Sequence, residues 1–157
     1  MSRENLDELR AQAGRESQAL QAAVDSVDQT AAAVLGVNRT DLRCLEILFG
    51  GDSTPGELAA KLGLTSGSVT TMLDRLSKLD YVVRHPEPGD RRKVLIRITE
   101  TALSPIMQIY GPIAEEGARE ISHYTAAQLG TVIDFLRRSR ELQERHRSRI
   151  AALAEGV

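Results

Sequence analysis

Residues 54–99, TPGELAAKLGLTSGSVTTMLDRLSKLDYVVRHPEPGDRRKVLIRIT, decide the fold. Two short helical patterns lie on either side of Gly63-Leu64, and two β-rich runs follow with a Pro/Gly-rich, basic tip between them. Thr54 stands as an N-cap, with Pro55 at the first helical position and Glu57 at the spacing of a capping box. Leu58, Ala59 and Leu62 make the inner face of this helix. Gly63 supplies the left-handed residue of the turn, Leu64 is its hydrophobe, and Thr65 or Ser66 caps the helix that follows.

On that following helix Val69, Met72, Leu73, Leu76 and Leu79 fall on one face by helical spacing. The opposite face carries Gly67, Thr70, Thr71, Asp74 and Lys78, flanked by Ser66, Ser68 and Arg75. Capping accounts for one or two of the small polar residues at the start of this helix and leaves the others without a local reason. Small hydroxylated side chains let a helix enter a major groove closely, bond phosphates or base edges, and set Thr methyls against thymine methyls. Asp74 would repel DNA on that face and is expected to orient an arginine instead.

Tyr81–Arg84 and Val94–Ile98 read as strands, with Pro86, Pro88, Gly89 and Asp90 as the turn signal between them. Arg91, Arg92 and Lys93 sit just past the tip, where an extended loop can place an arginine in a narrow minor groove. Asp90 is expected to hold an arginine in position by a bidentate pair. From Thr65 to Thr99 the charge is +3 within a chain of net charge −2, so a locally basic segment sits on an acidic body. Such a distribution favours docking on a polyanion in one orientation.

Upstream, Leu6, Leu9, Ala13, Leu20, Val24, Val27, Ala31 and Val34 form a narrow seam on a long helix, which Gly36 ends. A seam of that length needs a covering helix; a second subunit is the expected source, and packing within its own chain is the alternative. Asn38 or Thr40 caps the next helix, whose apolar residues (Leu42, Cys44, Leu45, Ile47, Leu48 and Phe49) place it at the centre of the core. Downstream, helix resumes near Glu100, with interruptions expected at Pro105 and at Gly111-Pro112, and runs to about Tyr124. Thr125 caps a final helix with six arginines between Arg137 and Arg149, read as a solvated face with Glu141 and Glu144 among them, the alternative being an additional phosphate contact.

Aromatics are only 3% of the 157 residues, so the core must be built from Leu, Val, Ile and Ala, a composition that suits helices. No apolar run approaches the ~20 residues that cross a bilayer, and the charged start, MSRENLDELRAQ, lacks the apolar region of a signal peptide. A cytoplasmic location is expected, and the single cysteine, Cys44, fits it. His85, His123 and His146 lack metal-ligand spacing, so no metal or cofactor is expected. Neither HExxH, a phosphate-cradling glycine loop nor Gly-x-Ser-x-Gly is present, and adjacent Glu115 and Glu116 diverge on a helix. The reading is that the chain is not an enzyme.

With ELAAKLGLTSGSVTTMLDRLSKLDYVVR followed by PGDRRKVLIRITE, in that order and spacing, the chain resembles the MarR family of winged helix-turn-helix regulators over residues 38–102. The wing motif of that family, an Asp followed two positions on by Arg, falls on Asp90 and Arg92. The resemblance implies a mainly α fold with a small β-hairpin wing. It divides the chain into an N-terminal dimerisation helix (1–37), a winged helix-turn-helix lobe (38–102) and C-terminal dimerisation helices (103–157). It implies a homodimeric transcriptional regulator, a repressor, reading a pseudo-palindromic double-stranded DNA operator.

By position, Thr65, Ser66, Ser68, Thr70, Thr71 and Arg75 would meet the major groove and its phosphates. Arg92 would enter the minor groove from a tip set by Asp90, with Arg91 and Lys93 on the backbone. Release by a small aromatic or phenolic effector is a further implication. The chain departs from the family at Ala102, where many members have Gly, and in having no aromatic residue on its N-terminal helix. Sensing through an N-terminal cysteine is not implied, because Cys44 lies on the apolar second helix and reads as a buried, inert thiol. The alternative is a winged helix used only to bind protein, which would have no need of Arg91, Arg92 and Lys93 together.

Overall fold

The computed structural model describes residues 3–87 and 90–155; the side chains at positions 3, 4, 91, 92, 154 and 155 lie outside the described residues. The element order is α1 (Arg3–Leu35), α2 (Arg39–Phe49), α3 (Pro55–Leu62), α4 (Ser66–Lys78), β1 (Val82–Glu87), β2 (Asp90–Ile98), α5 (Glu100–Ile121) and α6 (Ala126–Glu155). The chain divides into two compact units, residues 1–109 and 110–157.

In the first unit, α1 ends in a left-handed Gly36 (φ 68°). Val37 N–H donates to the Ala32 carbonyl and Gly36 N–H to that of Ala33, the paired bonds of a Schellman stop. Asn38 then caps α2, its side chain accepting from Asp41 N–H while the Asp41 carboxylate accepts from Asn38 N–H. The core forms where α1, α2, α3, α4 and the hairpin meet. Leu35, Leu42, Cys44, Leu45, Leu48, Leu58, Val69, Met72, Leu73, Leu76, Val82 and Ile96 are all buried there. Two residues expected inside are not: Phe49 and Leu79 stand at the ends of their helices, 57% and 41% exposed.

The hairpin is antiparallel, pairing Val82 with Ile98 through Pro86 with Val94, and its register shifts between Pro86 and Glu87. Both strands extend further toward the tip than the β-rich runs suggest. On the far side of β2, Ser53 forms an isolated bridge with Ile96 through two backbone bonds, so the α2–α3 connection is stitched to the hairpin.

The interruptions expected in α5 do not occur, and the helix is continuous from Glu100 to Ile121. Pro105 and Pro112 each remove one helix N–H, leaving the carbonyls of Thr101 and Gln108 without their usual donors. Both residues are exposed, so water can take the donor's place and the helix carries on. In the second unit, Thr125 and Gln128 exchange cap bonds at the start of α6.

Candidate nucleic-acid interface

The geometry of α4 begins with the turn before it. Thr54 and Glu57 form the expected capping box on α3, and Gly63, at φ 66°, closes that helix in the left-handed conformation. Thr65, not Ser66, caps α4: its hydroxyl accepts from Ser68 N–H and lies 2.9 Å from the Ser68 hydroxyl. One face of α4 then packs inward through Val69, Met72, Leu73 and Leu76, while Thr65, Ser66, Ser68, Thr70 and Thr71 are exposed together.

Thr70 and Thr71 donate their hydroxyl hydrogens back to the carbonyls of Ser66 and Gly67, at 3.0 and 3.1 Å. Their outward faces therefore offer methyl groups and oxygen lone pairs rather than donors. That surface suits thymine methyls and the amino groups of adenine or cytosine in a major groove.

Arg75 is placed differently from the sequence-based expectation. Its Nε and Nη2 donate side-on to the two oxygens of Asp41, at 3.1 and 2.6 Å. The Asp41 side chain is 3% exposed, whereas that of Arg75 is 46% exposed. Position on the helix puts Arg75 toward the outside, but its long side chain returns to α2. Asp74 behaves as expected, pairing with Arg84 of β1 at 2.7 Å and so losing much of its repulsion toward an anionic ligand.

On the wing, Lys93 faces Glu87 at 3.3 Å across the hairpin. Arg91 and Arg92 belong to β2 by their backbone, and their side chains lie outside the described residues. Asp90 opens β2. At the base of the hairpin, Asp52 accepts from Arg97 Nε and Nη2 and sits 3.0 Å from His85 Nε2. The hydrogen bond from Arg97, assisted by its charge and by His85, holds the Asp52 carboxyl below the usual carboxylate range. Asp41 and Asp52 are the residues that sequence reasoning missed. The Asn38–Asp41 capping spacing was a visible signal for the first; nothing local marks the second.

Cys44 is fully buried, and that burial, followed by the charge of Asp41, pushes its thiol up to about 12. It is a buried core residue, as its place on the apolar second helix implies. Among the described residues no group of three or more His, Cys, Asp or Glu side chains could hold a metal ion, and no helix is long and apolar enough to cross a membrane.

Residues 35–93 match the model of the MarR family. The chain is also 36% identical over 123 residues to the uncharacterized HTH-type transcriptional regulator YcgE of Bacillus subtilis, spanning 78% of this chain and 80% of YcgE. The chain belongs to the MarR family. Among solved structures, this MarR-family chain is similar to wild-type apo MarR from E. coli, with TM-score 0.56, 25% identity, and coverage of 80% of this chain and 95% of MarR. It is also similar to a mutant MarR complexed with operator DNA (TM-score 0.53, 25% identity, 80% and 91% covered). The fold is therefore the winged helix, as the sequence implies, and the family is one of transcriptional regulators, not enzymes.

Proposed function

We propose that this chain is a sequence-specific double-stranded DNA-binding transcriptional regulator, a repressor acting as a homodimer on a pseudo-palindromic operator. The observation that carries the reading is the exposed hydroxyl-rich start of α4, set beside a hairpin whose tip reads DRRK. Thr65, Ser66, Ser68, Thr70 and Thr71 meet the major groove, and Asp90, Arg91, Arg92 and Lys93 bring the wing to the minor groove and the phosphates. The operator-bound MarR structure supports this arrangement by likeness of fold and sequence.

A homodimer accounts for the surface of α1. Leu20, Val24 and Val34 are 62%, 51% and 70% exposed in the single chain, along one side of a helix of 33 residues. Apolar surface on that scale marks an interface, and a second copy with the same seam covers it; α5 and α6 complete the dimerising part. No aromatic residue stands on α1 to stack on an aromatic effector, so release by such a ligand rests on the resemblance alone.

Selection from a random duplex pool tests the proposal. The expected product is a pseudo-palindrome with half-sites about one helical turn apart, bound by a protein of twice the monomer mass. A pool with no enriched motif, or a monomeric mass at micromolar concentration, refutes it.

A further inference from the structure

We infer that Asp41 and Arg75 form a positioning pair that fixes the recognition helix α4 against α2 and thereby sets the operator preference; this rests on the DNA-reading function proposed above. The Asp41 carboxylate accepts three hydrogen bonds, two from Arg75 and one from Asn38. Arg75 Nη2 reaches one oxygen at 2.6 Å, and Arg75 Nε and Asn38 N–H reach the other at 3.1 and 3.3 Å. It also lies in the first turn of α2, where the helix dipole favours an anion. Beside the pair, α2 and α4 border an open cleft of about 420 Å³ lined by Asn38, Thr40, Ser68, Thr71 and Met72 with Arg75. The pair is thus the polar tie between the two helices on the side of α4 that carries the reading residues.

Two features separate this role from direct contact with DNA. A side-on fork needs the fixed geometry of a guanidinium, which lysine cannot reproduce, whereas a point contact to phosphate tolerates lysine. In addition, the Asp41 carboxylate offsets the positive charge that Arg75 would otherwise bring to a phosphate. A role in positioning gives it a purpose that electrostatics opposes. The rotation of α4 decides which base edges meet Ser68, Thr70 and Thr71, so loosening the tie affects discrimination between sequences before it affects general attraction to DNA.

The test measures binding of two labelled duplexes by fluorescence anisotropy: the fragment that the wild-type protein enriches from a random pool, and a scrambled fragment of equal composition. Asp41→Asn removes a negative charge, so simple electrostatics makes it bind both duplexes at least as tightly as wild type. The positioning role requires the opposite for the enriched fragment. Its affinity falls about tenfold, the scale of one lost base discrimination, while binding to the scrambled fragment holds or rises. Arg75→Lys, which keeps the charge, shows the same selective loss.

Wild-type discrimination retained in both variants overturns the inference and returns Arg75 to the phosphate contacts. Should Asp41→Asn fail to fold, Arg75→Lys decides alone, since it leaves a cation beside the carboxylate. Equal binding of the two duplexes by the wild-type protein overturns instead the DNA-reading function on which the inference stands.

Discussion

The phenolic hydroxyl of Tyr81 donates to the backbone carbonyl of Leu35 at 3.1 Å. Tyr81 leads into β1 and Leu35 is the last residue of α1, so the wing strand is tied to the end of the long N-terminal helix. The carbonyl it reaches has no acceptor role within the helix, and the bond gives it one.

Tyr81→Phe deletes this bond and leaves the ring in place. The expected loss is about 0.5–1.5 kcal/mol of folding stability, visible as a lower melting temperature. An unchanged melting curve would show the bond contributes nothing net.

The base of the wing responds to acid. The folded-state pKa of Asp52 is depressed, chiefly by the hydrogen bond from Arg97. Its contribution is therefore fully present above the unfolded carboxylate value of about 3.9 and is lost as pH falls through the lower folded value. Asp52→Asn is expected to destabilise the protein at neutral pH, with the gap from wild type closing below that range. Urea midpoints measured across the acid range give the comparison.

Arg92→Ala should weaken operator binding and reduce the slope of log affinity against log salt by about 0.9 if one phosphate-region contact is lost. Glu87→Gln should act in the opposite direction, because it frees Lys93 from its partner across the hairpin. A salt titration identical to wild type for Arg92→Ala would remove the wing from the DNA contacts.

Two glycines of the helix-turn-helix, Gly63 and Gly67, make opposite predictions. Gly63→Ala places a side chain at φ 66°, with no atom within 4 Å to clash, so backbone strain alone costs about 1–2 kcal/mol. Gly67 is helical and likewise has open space around its Cβ position. Alanine there should stabilise the fold by about 0.5–1 kcal/mol while weakening DNA binding, since it adds a methyl to the reading face. A Gly67→Ala variant that binds its operator more tightly would move that face away from DNA.

Cys44, with its thiol pushed up to about 12, should resist thiol reagents at pH 8 in the native protein and react fully once urea has unfolded it. Fast stoichiometric reaction in native buffer would contradict the burial.

Caps and turns were legible because their partners lie three or four residues apart: Thr54 with Glu57, Thr65 with Ser68, and Gly63 with the turn it permits. The hydroxylated face of α4 was legible for the same reason, since helical spacing alone exposes it. The Arg75–Asp41 pair spans 34 positions and the Arg97–Asp52 pair 45. A helical projection fixes where a Cβ points and not where a long guanidinium ends, so the pairing of Arg75 with Asp41 was not legible from its outward position. The prolines of α5 misled differently: helix breaking assumes that the orphaned carbonyl has no other donor, and at Thr101 and Gln108 solvent is at hand.

The stitch between Ser53 and Ile96 has a consequence for how copies of the chain avoid one another. A free two-stranded ribbon offers two ladders of backbone donors and acceptors to any passing strand. Here β2 spends part of its outer ladder on Ser53, and β1 includes Pro86, which has no N–H to offer. The ribbon is thus a poor template for strand addition.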